Sequence, residues 1–214
     1  MTILALDTSG KTASAALMNG YIIMAESSAQ CKTHSETLMP MVDRLFKLTG
    51  TSAESIDYIA CTCGPGSFTG LRIGAATAKG LAFALGKKLI AVPTLDAMAY
   101  TVDSLHIPGA WVVPMIDARR GQAYSAFYYE GKRVTDYMAE SVEDLQEMVK
   151  ARAQVGSNII YTTGPVRASS VGSVALSIAL STPDAAADES GFSLLYIRKP
   201  QAEREKEEKM KRKS

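Results

Sequence analysis

The sequence predicts an α/β protein in which a unit of the order β-β-β-α-β-α occurs twice. Two apolar segments each end in an aspartate, Asp7 and Asp117, as buried strands that lead into a turn do. At nearly the same distance after each aspartate comes a dipeptide typical of hairpin turns, Asn19-Gly20 or Glu130-Gly131. A Gly-Pro pair then follows a later strand in each half. The same order of three signals in both halves indicates a duplication.

The elements of the first half follow from hydrophobic periodicity. Apolar or alternating segments predict strands, and apolar residues spaced by three and four predict helices. The predicted order is strands over 3–9, 12–18 and 21–24, a helix over 34–48, a strand over 56–63, a helix over 69–85, a strand over 89–92 and a helix over 94–102.

The second half repeats the β-β-β-α-β-α order of the first six elements. It has predicted strands over 111–116, 123–129 and 134–139, a helix over 141–152, a strand over 158–162 and a helix over 170–180. A duplicated unit of this kind is that of the actin-like, sugar-kinase and Hsp70 (ASKHA) fold class. We expect an N-terminal actin-like lobe over 1–105, a C-terminal actin-like lobe over 106–200, and a tail over 201–214.

Composition restricts the function classes. The 214 residues carry a net charge of +1 and include two histidines and three cysteines, which excludes a His-rich metal site and a disulfide scaffold. The N-terminal segment lacks the basic residues of a signal peptide, and no apolar segment approaches the roughly 18 residues of a membrane span. We therefore expect a cytoplasmic protein without membrane contact.

The tail is densely charged. Residues 203–213 contain four acids and six bases, several in the acid-first i,i+4 order that stabilises a helix. With Met210 as its one apolar side chain, the tail is interpreted as solvated or helical. The alternative is a helix that contacts a partner or RNA.

A glycine-rich segment, Gly64 to Arg72, joins a predicted strand to a predicted helix. One interpretation is a phosphate or nucleotide site at the helix N-terminus, for which the candidate residues are Asp7, Thr8, Ser9, Gly64, Gly66 and Ser67. The segment lacks the Lys-Ser/Thr ending of a P-loop. The other interpretation is close packing or an interface, which the recurrence of small residues every four positions favours (Gly70, Gly74, Ala78 and Ala82).

Four segments together resemble one known family. They are Ile-Leu-Ala-Leu-Asp-Thr-Ser at 3–9, His34-Ser35-Glu36 with Leu38 and Pro40, Gly-Pro-Gly-Ser-Phe-Thr-Gly-Leu-Arg-Ile-Gly at 64–74, and Leu194 to Glu203. The sequence is similar there to the TsaB (YeaZ) family of bacterial tRNA threonylcarbamoyladenosine biosynthesis proteins. The resemblance is strongest over the first hundred residues.

The resemblance implies a non-catalytic protein. TsaB is related to TsaD, the catalytic subunit that transfers threonylcarbamoyl to N6 of the adenosine 3′ to the anticodon, in tRNAs that read codons starting with A. TsaD carries a metal-binding His-x-x-x-His motif where this sequence has Thr94 and Met98. Neither side chain suits a metal. We expect no catalytic residue, metal or cofactor in this chain alone, with ATP or ADP and metal held by the partners.

The resemblance also implies the partners. They are a TsaD-like catalytic subunit and a TsaE-like ATPase, with a homodimer when the chain is alone and with tRNA reached through the complex. The predicted helices over 34–48 and 69–85 are implied to form the shared interface. The candidate interface residues are His34, Leu38, Met39, Met41, Val42, Leu45, Phe46, Phe68, Thr69, Leu71, Arg72, Gly74 and Ala78.

Three alternatives stay open. A small ATPase or kinase of the same fold would use Asp7. Direct tRNA binding would rest on 206–213 and on Arg119-Arg120. A metallopeptidase-like protein would need the histidines that are replaced here.

The histidines and two of the cysteines have structural interpretations. His34 and His106 are interpreted as residues that contact backbone or lie in a loop. Cys61-x-Cys63 has two thiols on one strand face without metal or redox spacing.

Overall fold

The computed structural model describes residues 1–30, 33–103, 105, 107–188 and 190–197. The predictions for Cys31, His106 and the tail over 201–214 therefore lie outside the described residues. Within those ranges the chain forms two sheets and five α-helices. None of the described helices combines the length and the apolar character needed to cross a bilayer.

The first sheet has five strands in the order β3-β2-β1-β4-β5. β4 pairs in parallel with both β1 and β5, whereas β1, β2 and β3 form an antiparallel meander. The strands are β1 (Thr2–Asp7), β2 (Thr12–Asn19), β3 (Ile22–Gln30), β4 (Tyr58–Gly64) and β5 (Lys88–Pro93).

The second sheet is centred on β6 (Trp111–Arg119), which is paired in parallel with β11 (Ile159–Thr162). On the other side of β6 lie four short antiparallel strands, β7 (Gln122–Ser125), β8 (Tyr128–Tyr129), β9 (Lys132–Arg133) and β10 (Met138–Ser141). The first unit is therefore β1 to α2 and the second β6 to α5. The second sheet contains no described counterpart of β5.

The strand predicted over 123–129 is divided into β7 and β8 without losing its register. Ser125 pairs with Met115 and Tyr128 pairs with Val112, so both pieces continue one antiparallel alignment with β6. The interruption lies beside Pro114, which has no N–H to donate to the ladder. Ser125 Oγ donates to the Pro114 carbonyl at 2.8 Å instead.

The first predicted hairpin turn is displaced by one residue. Asn19 pairs with Ile22, so the central turn residues are Gly20 and Tyr21, and of the Asn-Gly pair only Gly20 has a positive φ (58°). The second turn forms as predicted. Glu130 and Gly131 both have positive φ, 48° and 72°, as a type I′ turn requires.

Five helices cover the sheets. α1 (His34–Thr49) and α2 (Phe68–Leu85) pack on one face of the first sheet, where Leu4, Leu6 and Leu17 point. α3 (Thr94–Asp103) and α5 (Ala168–Ser181) pack on the opposite face, and α3 also contacts β6. α4 (Val142–Arg152) covers the outer face of the second sheet.

α5 packs on the first sheet although it belongs to the second half of the sequence. Gly172 allows this approach, because a Cβ there would lie 2.3 Å from the Met18 sulfur. Glu26 of β3 accepts from the Ser169 N–H at 2.9 Å and from Arg167 at 2.7 Å. α5 of the second half therefore shares a core with the first sheet.

Candidate functional site

The glycine-rich loop is bonded directly to the turn that follows β1. The Ser67 N–H donates to the Ser9 carbonyl at 2.7 Å, and Thr8 Oγ1 donates to the Gly70 carbonyl at 2.8 Å. Ser67 also caps α2, since its side chain accepts from the Gly70 N–H at 3.2 Å. The N–H groups of Ser67 and Gly70 are thus already bonded within the chain.

Glycines make this contact sterically feasible. A Cβ at Gly66 would lie 2.5 Å from the Ser9 carbonyl oxygen, and one at Gly70 would lie 2.0 Å from that of Thr8. Gly74 faces the Thr8 hydroxyl in the same way. These residues serve close packing of α2 on the β1 turn.

Asp7 is enclosed by this arrangement. It is 1% exposed, and its Oδ1 accepts from the Thr62 hydroxyl at 2.7 Å and from the Ser9 N–H at 3.1 Å. Burial raises the pKa of the Asp7 carboxyl, although both hydrogen bonds oppose this rise. A lone ATPase site at Asp7 is not favoured by this burial.

Five of the six candidate phosphate residues are enclosed within the chain, which corrects their assignment to a phosphate or nucleotide site. Asp7, Thr8 and Ser9 are buried, and Gly64 and Gly66 are packed against backbone. A cleft of about 590 Å³ does lie next to them, but Ser67 is the one candidate phosphate residue in its described lining. The lining residues are Gly10, Lys11, Gln30, Thr33, His34, Ser67, Thr69, Gly70 and Ile73. His34 Nε2 lies 3.0 Å from the Gly10 carbonyl oxygen, as expected for a histidine that contacts backbone.

The positions that align with metal ligands in the resemblance lie in the core. Thr94 is fully buried and Met98 is 4% exposed, both on α3. Among the described residues, no group of three or more His, Cys, Asp or Glu side chains is arranged to hold a metal ion.

The two cysteines on β4 point into the core between the first sheet and its outer helices. Cys61 is fully buried and Cys63 is 5% exposed. Burial raises the pKa of Cys63 to about 12 and that of Cys61 well above its ordinary value. Both thiols are therefore protonated and inaccessible, which matches the absence of redox or metal spacing.

A polar cluster that the sequence did not reveal joins α3 to the second sheet. Asp96 accepts hydrogen bonds from the Tyr128 hydroxyl at 2.5 Å and from the Tyr137 hydroxyl at 2.9 Å. The Arg133 guanidinium lies 4.2 Å above the Tyr137 ring. Burial and the Asp96 carboxylate raise the pKa of both tyrosines, so each remains a donor. The cluster borders a cavity of about 410 Å³ between α3 and α5.

The predicted interface residues divide into two groups. Seven are buried inside the chain, which corrects their assignment to a partner surface, because they pack α1 and α2 on their own sheet: Leu38, Met41, Val42, Leu45, Leu71, Gly74 and Ala78. The others are partly or fully exposed: His34, Met39, Phe46, Phe68, Thr69 and Arg72.

The outer face of α2 is largely uncharged, and the rest of the described chain leaves it exposed. We use this name for its exposed residues, of which only Arg72 is charged: Phe68, Thr69, Arg72, Ala76, Gly80, Phe83 and Ala84. The small residues of this face recur every four positions, like the buried set Gly70, Gly74, Ala78 and Ala82. Two small-residue stripes thus run on opposite sides of α2. The predicted interface residues Gly74 and Ala78 lie on the inner, buried stripe.

Comparisons with known proteins show to which family the chain belongs. Residues 26–189 match the family described as TsaD, tRNA N6-adenosine threonylcarbamoyltransferase. The chain is 36% identical over 172 residues to the tRNA threonylcarbamoyladenosine biosynthesis protein TsaB of Escherichia coli, covering 77% of this chain and 71% of that protein. The chain belongs to the TsaB family.

Two further TsaB (YeaZ) relatives extend the comparison. Haemophilus influenzae TsaB is 38% identical over 138 residues, which span 64% of this chain and 58% of that protein. The solved structure of YeaZ from Pseudomonas aeruginosa superimposes with a TM-score of 0.75 at 24% identity, covering 91% of this chain and 99% of that one. The YeaZ likeness shows the fold, which is the ASKHA fold expected from the duplicated unit.

Proposed function

We propose that this chain is a non-catalytic subunit that works with a TsaD-like catalytic subunit and a TsaE-like ATPase. The assembly transfers threonylcarbamoyl to N6 of the adenosine 3′ to the anticodon, in tRNAs that read codons starting with A. The names of its relatives place those proteins in the biosynthesis of the same modification. In this proposal the chain positions or activates the TsaD-like subunit.

The observation that carries the proposal is the outer face of α2. A helix of 18 residues with two charges, Arg72 and Lys79, exposes Phe68 at 40% and Phe83 at 74%. Small residues between these aromatics, such as Ala76 and Gly80, allow another helix to approach closely. Covering a surface of this composition with a partner removes apolar area from water and therefore stabilises the complex.

The interior of the chain supports a non-catalytic role. The Asp7 carboxyl is sealed beneath the glycine-rich loop, and Thr94 and Met98 are core residues. In the proposal, ATP or ADP and a metal ion are held by the TsaD-like and TsaE-like subunits. The same outer face forms a homodimer when the chain is alone, so the homodimer and the heterodimer exclude each other. The tRNA is reached through the complex.

A partner-binding experiment tests the proposal. The chain is mixed with the TsaD-like subunit of the same organism, and the mass of the complex is measured by light scattering after size-exclusion chromatography. We expect a stable heterodimer, which Ala76→Arg prevents because a charged side chain is driven into the interface. The matched control is Val155→Arg, at a fully exposed loop position distant in sequence from α2, which we expect to leave the heterodimer intact.

Two results would contradict the proposal. One is a heterodimer that forms equally well with Ala76→Arg, since the outer face of α2 would then not be the contact. The other is rapid ATP hydrolysis by the isolated chain that Asp7→Ala abolishes, which would favour a small ATPase of the same fold. Thermal melting of each variant checks that it is folded.

A further inference from the structure

The last described segment of the chain returns to the first sheet and contacts the start of α2. Phe192 is 4% exposed in the core beneath α1 and α2, and the Leu195 N–H donates to the Cys63 carbonyl at 2.7 Å. The Leu195 carbonyl oxygen lies 2.5 Å from where a Cβ of Gly64 would sit. The segment is therefore held by the buried Phe192 side chain and by the Leu195 N–H, next to Tyr196.

Three exposed side chains meet where this segment touches α2, and we call them the aromatic corner. The Phe68 and Tyr196 rings are 5.8 Å apart between centroids and tilted by 39°. The Arg72 guanidinium carbon lies 3.7 Å from the Phe68 centroid on α2. Phe68 is 40% exposed and Tyr196 is 42% exposed.

Arg72 retains its capacity to bind an anion. It forms no ion pair or hydrogen bond with the described residues. Stacking on Phe68 restricts the guanidinium plane, so little additional entropy is lost when its N–H groups bind a carboxylate in a bidentate manner. Exposed aromatic and arginine side chains held in this way are the residue types that contribute most to protein–protein affinity.

We infer that the aromatic corner is the anchor of the partner surface, and that it binds a carboxylate side chain set among apolar groups of the TsaD-like subunit. This inference rests on the proposed function. Phe68 and Arg72 belong to the outer face of α2, so the corner is continuous with that face. Tyr196 extends the face onto the returning C-terminal segment, which contributes none of the predicted interface residues.

A protein is favoured over RNA as the occupant by the neighbouring charges. RNA binding draws much of its affinity from several phosphate contacts. The residues that adjoin the corner on α2 are Thr69, Ile73 and Ala76, which are uncharged. On the α2 side of the corner, one arginine among aromatic and apolar side chains matches one carboxylate on an apolar surface better than a phosphate backbone.

The test measures the affinity of the heterodimer by isothermal titration calorimetry with the full chain. We expect Tyr196→Ala to weaken binding by about tenfold or more, and Tyr196→Phe to remain within about twofold of wild type, because the ring and not the hydroxyl makes the contact. Tyr21→Ala is the matched control, since Tyr21 is an exposed tyrosine (57%) at the β2–β3 turn. It should bind like wild type.

Arg72→Gln adds a readout that a purely structural role would not change. Wild-type affinity should fall as salt concentration rises, because an exposed ion pair is screened. Arg72→Gln should weaken binding at low salt and remove most of this dependence.

The outcomes separate this inference from the proposed function. If the heterodimer forms but Tyr196→Ala binds like wild type, the corner is not the anchor while the proposed function stands. If wild-type chain forms no heterodimer at all, both fail. If Tyr196→Ala weakens binding of a labelled tRNA anticodon stem-loop and leaves the heterodimer unchanged, the corner is an RNA-stacking surface and the inference is overturned. Melting curves confirm that each variant is folded.

Discussion

The turns after β1 and β6 have the same local hydrogen bond but opposite surroundings. Asp7 accepts from the N–H two residues later at 3.1 Å, and Asp117 accepts from the Arg119 N–H at 2.7 Å. Asp7 is buried beneath the glycine-rich loop, whereas Asp117 is exposed. The duplication has thus kept the backbone of the turn, and the difference lies in what packs on it.

Packing of the adjoining loops explains the difference. In the first unit, Gly66 and Gly70 let the loop and α2 contact the turn directly. In the second unit, the corresponding Gly164-Pro165 pair is exposed, and α5 packs on the first sheet. The turn after β1 is therefore covered by the glycine-rich loop and α2, whereas the turn after β6 is exposed. Four substitutions test this comparison.

Gly70→Ala should have the largest effect, because its Cβ would lie 2.0 Å from the Thr8 carbonyl oxygen and force the loop away from the turn. We expect a loss of about 3 kcal/mol in the free energy of unfolding, measured by urea denaturation. Gly80→Ala on the outer face of α2 is the matched control. It meets no atom within 4 Å, so it should gain about 0.5–1 kcal/mol from higher helix propensity. Equal effects of the two changes would contradict the account.

Glu26→Gln should weaken the link between the two halves by about 2 kcal/mol, because Glu26 binds Arg167 and the Ser169 N–H. Burial alone would raise the pKa of Glu26, but these hydrogen bonds lower it below the ordinary value of 4.5. The wild-type advantage should therefore be complete above about pH 4.5 and disappear as the pH falls through the lowered pKa. Urea denaturation at several pH values measures this, with exposed Glu140→Gln as the control. An advantage that persists fully in acid would refute this explanation.

Arg120→Gly tests the open turn of the second unit. Arg120 has a φ of 56°, a left-handed conformation that costs energy for any residue with a Cβ. We expect a gain of about 0.5–1 kcal/mol, measured by urea denaturation. The same change at Arg44, which is exposed on α1, should instead destabilise by a similar amount because glycine is a poor helix former. Loss of stability in Arg120→Gly would show that its side chain makes contacts that outweigh the strain.

Asp7→Asn should have the smallest effect of the four, and the size of this effect should depend on pH. Burial raises the pKa of Asp7, so the ionised carboxylate destabilises the folded state above that pKa. Asp7→Asn should be the more stable protein at neutral pH, and the difference should shrink as the pH falls toward 3.8. Melting temperatures across this pH range measure the effect. An advantage of Asp7→Asn that stays the same size down to pH 3.8 would contradict this explanation.

The elements themselves were predictable because they depend on local periodicity. The helix over 34–48 and the Glu130-Gly131 turn form as expected, and the interrupted strand over 123–129 keeps a single register with β6. The strand predicted over 134–139 is replaced by the two short strands β9 and β10. The turn near Asn19 was displaced because the pairing of Asn19 with Ile22 shifts it to Gly20-Tyr21. Local patterns do not contain that information.

The surfaces were harder to predict, since they depend on contacts between distant residues. α2 carries small residues on opposite sides, so its spacing alone could not tell the inner stripe at Gly74 from the outer one at Ala76. The contact of Tyr196 with Phe68 spans more than 120 positions in the sequence. Asp96 is separated by 32 and 41 positions from Tyr128 and Tyr137, whose hydroxyls donate to it. No pattern within a short window reports such contacts.

The central claim is that this chain contributes a binding surface and not the chemistry of Asp7. The most direct measurement is threonylcarbamoyl transfer to tRNA by a reconstituted assembly of this chain with its TsaD-like and TsaE-like subunits. We expect Asp7→Asn to support transfer at nearly the wild-type rate and Ala76→Arg to reduce it at least tenfold. Transfer that is lost with Asp7→Asn and retained with Ala76→Arg would contradict the claim.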